Sequence, residues 1–136
     1  MPKATLPDFT IDLSRFIDNP CLKGREDKFI VQDVKVSPIL ASWRESLFAH
    51  EWLDEEGLIK PAHKMSDKVL VRREIIEKEI TGKSTLPRPV LGIGVLDNVE
   101  IGTGKDLFLC LAALGMNAIP VHIPKSHEKD FRIFIR

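Results

Sequence analysis

Apolar and polar positions divide the chain into short segments of two different periods. Over residues 29–36 they alternate imperfectly, with Ile30, Val34 and Val36 set against Gln32, Asp33 and Lys35, and this predicts a strand. The period then lengthens. Leu40, Trp43 and Leu47 recur at helical spacing, and Phe48 and Trp52 extend the stripe as core residues. Ser37-Pro38 suits an N-cap followed by proline at the first helical position. That helix is expected to run as far as the solvated acidic stretch Asp54-Glu55-Glu56-Gly57. A second helix is predicted over residues 67–80, with Ser66 as N-cap, a stripe of Val69, Ile76 and Ile80, and Gly82 near its end. The apolar run 90–96, Asp97-Asn98 as a two-residue turn and Val99-Glu100-Ile101 predict a hairpin. Residues 107–114 form a third, almost wholly apolar helix. Thr103 is its expected N-cap, and Gly115 is placed to end it in the left-handed conformation. Residues 118–123 read as a strand, and residues 9–13 and 131–136 as short strands near either end.

These elements describe an α/β (α+β) fold, a compact mixed sheet with about three helices. At 136 residues the chain fits one domain, 1–136, able to bury roughly two-thirds of its unfolded surface. Lys plus Arg and Asp plus Glu each number 20, so the formal charge is zero and gives no global electrostatic case for a nucleic-acid partner. No apolar stretch approaches about 18 residues and no basic-then-apolar leader stands at the start, so a cytoplasmic protein without a membrane span is expected. Cys21 and Cys110 lie far apart and are expected to be free thiols. The four histidines are scattered, so no structural metal is expected, and His122 is placed on the solvent face of its strand. Arg72, Arg73, Lys83 and Arg88 could form a basic edge, but a surface of ion pairs with Glu74, Glu77 and Glu79 is the favoured role.

Candidate chemistry gathers at Gly102-Thr103-Gly104-Lys105-Asp106, between hairpin and third helix. Glycines there permit close backbone approach, and the first turn of a helix offers free N–H groups and the positive end of its dipole to an anion. The competing reading is conformational, since a strand-to-helix turn needs glycine in any case. A phosphate loop of the pattern G-x-x-x-x-G-K-[ST] is excluded, because Val99 and Asp106 stand at required Gly and Ser/Thr positions.

The order of strand, glycine turn, helix, Leu114-Gly115, short link and a strand holding Ile119-Pro120-Val121 resembles the signature of the ParB/sulfiredoxin-like superfamily, over about a third of the chain. In that family a Gly-Glu-Arg-Arg, Gly-Cys-His-Arg or Asp-Gly-His-His-Arg type sequence opens the helix and binds nucleotide phosphate. The motif glycine falls on Gly104, so Lys105, Asp106 and Leu107 follow and the usual arginine is missing. Lys105 brings charge without the bidentate fork of arginine. The sulfiredoxin nucleophile would fall on Lys105, and Cys110 lies too deep to replace it, so sulfinic-acid reduction is disfavoured. Partition proteins of the family follow this module with a helix-turn-helix. The chain stops soon after the signature, so sequence-specific partition activity is not expected.

What the resemblance implies is a nucleotide-binding domain that hydrolyses ATP or another nucleoside triphosphate with Mg2+, and cleaves DNA without sequence specificity. Gly102, Thr103, Gly104 and Lys105 would bind the nucleotide, and Glu100 and Asp106 would be the catalytic carboxylates. The alternative is a catalytically inactive binding module acting on a protein partner, such as a plasmid- or phage-encoded inhibitor. A single-stranded nucleic-acid binder would need a basic groove with exposed aromatics, which the sequence does not show.

Overall fold

The computed structural model describes residues 11–135. Its elements are α+β. The longest strand pair is β2 (Phe29–Lys35) with β6 (Ala118–Pro124), antiparallel over seven residues from Phe29 opposite Pro124 to Lys35 opposite Ala118. The hairpin β4 (Leu91–Ile93) and β5 (Val99–Ile101) meets β6 from its other side. A parallel bridge joins Val90 to His122, and the His122 N–H donates to the Pro89 carbonyl. A short parallel pair, β1 (Phe16–Ile17) with β3 (Leu86–Pro87), completes three two-stranded units containing both parallel and antiparallel pairing. Four α-helices lie among the described residues: α1 (Val36–Trp43), α2 (Asp67–Thr81), α3 (Lys105–Ala113) and the single turn α4 (Glu128–Phe131).

The core forms where α3 packs beneath α2 and against the strands. Leu107, Phe108, Leu109, Cys110 and Leu111 are all buried, so this helix is covered almost all round. Trp43, Trp52, Phe108 and Phe131 are its largest fully buried side chains. Ser66 caps α2 through its hydroxyl, which accepts the Val69 N–H at 3.3 Å. The other end of α2 is held by Arg15, whose guanidinium donates to the carbonyls of Glu79, Ile80 and Ser84. At the end of α3 the Met116 N–H reaches the Leu111 carbonyl and the Gly115 N–H reaches Ala112. Gly115 has φ 101°, the left-handed closure its position implies.

Several boundaries differ from the sequence expectation. α1 is entered from Lys35, so Ser37 lies inside its first turn rather than capping it, and the helix stops at Trp43. Leu47 and Phe48 are consequently exposed, while Trp52 is buried from a separate 3-10 turn, Ala49–Glu51. The acidic stretch is a tight turn, not a helix end: Asp54 Oδ1 accepts the N–H groups of Glu56 and Leu58, Gly57 has φ 83°, and Leu53 bridges Ile59. The hairpin strand ends at Ile93, and the loop 94–98 is longer than two residues, with Asp97 at φ 63°. Residues 131–134 lie in helical turns, and the extended Ile135 joins β2 by a single Val34–Ile135 bridge, so the expected terminal strand is absent there. Arg136 lies outside the described residues. Of the expected strand over residues 9–13, the first two lie outside the described residues, and Leu13 opens a 3-10 turn.

Candidate functional site

The turn from β5 into α3 is built by glycine in a way no other residue can copy. Gly104 is the N-cap, at φ 89°, and a Cβ there would stand 2.8 Å from Pro89 Cα. Thr103 is not the cap. Its carbonyl instead accepts the Val90 N–H, while the Gly102 N–H donates to the Val90 carbonyl, so the hairpin ladder runs directly into the turn. The Lys105 N–H folds back to the Gly102 carbonyl and Phe108 to Gly104. The N–H groups of Thr103, Gly104, Asp106 and Leu107 have no acceptor among the described residues.

These groups border a cleft of about 430 Å3 lined by Gly102 to Leu107, by Ile76 and Glu79 of α2, and by Asn19, Leu86 and Pro87. The structure thus brings together Gly102, Thr103, Gly104, Lys105 and Asp106. Glu100 does not line the cleft. Its Oε1 accepts the Ser46 hydroxyl at 2.8 Å and its Oε2 accepts Asn98 Nδ2 at 3.0 Å. A larger depression of about 630 Å3 lies between Arg44 and Lys64. It mixes both signs of charge and contains none of these residues.

Charge at the α3 start is organised by a residue from another helix. Arg72 Nε lies 3.2 Å from Asp106 Oδ2, and its Nη2 is 3.7 Å from Glu51. The other Asp106 oxygen, Oδ1, is buried with no partner among the described residues. Lys105 Nζ lies 5.8 Å from the Phe48 ring, an exposed cation–π contact worth about 0.5–1 kcal/mol and therefore easily exchanged for another partner. Leu107, where the resemblance would require arginine, is buried and brings no charge. Of the expected ion pairs within α2, Arg73–Glu77 forms at 3.1 Å, whereas Arg72 turns outward to α3.

Behind the cleft, His122 is buried rather than solvent-facing. Its Nε2 accepts the Asn19 N–H at 3.1 Å, and Asn19 Nδ2 donates to the Arg88 carbonyl. Burial holds this imidazole below its ordinary pKa, against an opposing pull from Asp18 at 4.0 Å. Cys110 is buried, and desolvation, reinforced by Glu77, pushes its thiol up to about 12, so it is no nucleophile. Cys21 is exposed, and both thiols are free. Sequence reasoning missed Arg72 as a partner of Asp106 and Asn19 as a cleft residue. Neither carries a local signal, since each reaches the site from a distant part of the chain.

In comparisons with known proteins, no family model, no curated protein and no solved structure matches this chain. No helix among the described residues is long and apolar enough to cross a membrane.

Proposed function

We propose that the chain is a divergent ParB/sulfiredoxin-like domain that binds a nucleoside triphosphate, with the phosphates against the first turn of α3. The supporting observation is that the N–H groups of Thr103, Gly104, Asp106 and Leu107 have no acceptor among the described residues, at the edge of a cleft of about 430 Å3 with apolar walls from Ile76, Leu86 and Pro87. A pocket of that size is in the range that holds a small ligand. Lys105 supplies charge once it leaves Phe48. Mg2+ would enter as part of the ligand: among the described residues no group of three or more His, Cys, Asp or Glu could hold an ion, and Asp106 and Glu79 are the two carboxylates that line the cleft. Bound Mg2+ would neutralise phosphate charge, with most of its ligands being phosphate and water oxygens. Glu100 is committed to Ser46 and Asn98, so ATP hydrolysis, and any DNA cleavage driven by it, would rest on Asp106. The free thiols Cys21 and Cys110 suit a cytoplasmic location.

Calorimetric titration with ATP and CTP, with and without Mg2+, tests this directly. Magnesium-dependent binding should weaken about tenfold in Lys105→Ala, the loss expected for a charge-assisted contact. Wild-type protein that binds neither nucleotide would refute the reading.

A second reading is favoured by a separate observation. Leu47 and Phe48 on one loop, and Val95 and Leu96 on another, are 53–100% exposed, and both loops reach Glu100, whose Oε1 accepts the Ser46 hydroxyl and whose side chain lies close against Gly94. Four large apolar side chains so placed fit a binding module that acts on a protein partner.

A further inference from the structure

Resting on the nucleotide reading, we propose that Arg72 of α2 is the second cation of the phosphate site, with Asp106 holding it in place. Arg72, Ile76 and Glu79 share one face of α2 at spacings of four and three, and the latter two line the cleft. Arg72 continues that face one turn further, and its Nε is fixed 3.2 Å from Asp106 Oδ2. A guanidinium carries five N–H groups, and the pairs with Asp106 and Glu51 engage two of its nitrogens, leaving donors for a phosphate oxygen. At 39% exposure the side chain is reachable by a ligand from solvent.

The charge balance gives the reason such a residue is needed. Asp106 and Glu79 place two carboxylates on a cleft whose own sequence supplies one cation, Lys105, and that ammonium rests on Phe48. A helix start bearing an unpaired Asp106 would repel a phosphate that its N–H groups attract. Arg72 offsets the charge of Asp106 before ligand and metal enter. Asp106 in turn keeps the guanidinium at the first turn, since Arg72 has no other partner closer than 3.7 Å among the described residues.

The test is calorimetric titration of AMP, ATP and tripolyphosphate, each with Mg2+, into wild type, Arg72→Ala, Arg72→Gln and Arg72→Lys, with melting temperature measured for each. Arg72→Ala and Arg72→Gln should bind ATP and tripolyphosphate at least about tenfold more weakly while losing much less for AMP. Arg72→Lys should recover part of the loss, because charge returns without the fork. Unchanged ATP affinity in Arg72→Ala would overturn the inference and leave the nucleotide reading standing. So would equal losses for AMP and ATP that lysine does not relieve, since that marks mere support of the fold. If Arg72→Ala fails to fold, the comparison of Gln with Lys decides in the same way. Wild-type protein that binds none of the three would refute both the inference and the reading on which it rests.

Discussion

His122 sits in a strand whose alternation puts Ile119, Val121 and Ile123 on one buried face and assigns His122 to the other. That second face is covered by the loop carrying Asp18 and Asn19, so the imidazole is enclosed and acts as an acceptor. Its pKa is lowered from the usual 6.5, chiefly by burial, with Arg88 adding to the effect and Asp18 opposing it. The sign of the consequence follows by linkage. Above pH 6.5 the side chain is neutral in folded and unfolded chains alike. As pH falls below 6.5 the unfolded chain takes up a proton that the folded chain resists, so stability declines until the lowered folded pKa is passed. Urea unfolding between pH 7.5 and 5 should therefore show a loss of stability in wild type that His122→Gln, which keeps an acceptor and cannot titrate, lacks. Parallel pH curves for the two proteins would show that His122 does not carry this term. The alternation in β6 was readable from the chain. What covers each face was not.

At the scale of elements, local signals held where both partners are close in sequence. Ser66 caps α2 and Gly115 closes α3, each by contacts within a few residues. They failed where a distant segment competes. Thr103 has the chemistry of an N-cap, yet its carbonyl is drawn into the ladder with Val90, and the cap passes to Gly104. The stripe through Leu47 and Trp52 suggested one long helix, but the chain leaves α1 at Trp43 so that Trp52 can enter the core from another direction. Gly104→Ala is the sharpest test at this scale. It places a left-handed strain and a 2.8 Å contact to Pro89 Cα at one residue. Thermal and urea unfolding should report destabilisation on the order of 1–3 kcal/mol. A neutral substitution would mean that the β5–α3 turn tolerates another path, and the row of free N–H groups would lose its structural basis.

For the whole molecule, the feature most open to experiment is the end that carries Leu47, Phe48, Val95 and Leu96. Substituting Val95 and Leu96 by Ser should change stability by no more than about 0.5 kcal/mol, because neither side chain contributes to the core. If this end binds a protein, the same change should abolish capture of that protein by the immobilised chain while leaving nucleotide titrations intact. Equal capture by wild type and variant would remove the second functional reading.

Composition, period and glycine placement determined by themselves that this is an α+β chain with β2, α2, the β4–β5 hairpin, α3 and β6 in that order, because these properties act over a few residues at a time. They also located the glycine turn and the residues beside it. Tertiary structure alone decided that Glu100 turns away to Ser46, that Asn19 and Ile76 wall the cleft, and that His122 is enclosed. It also brought Arg72 to Asp106, 34 positions along the chain, and with it the charge of the site. Ion pairs and burial depend on which elements pack together, and the pattern of any one segment does not contain its neighbours.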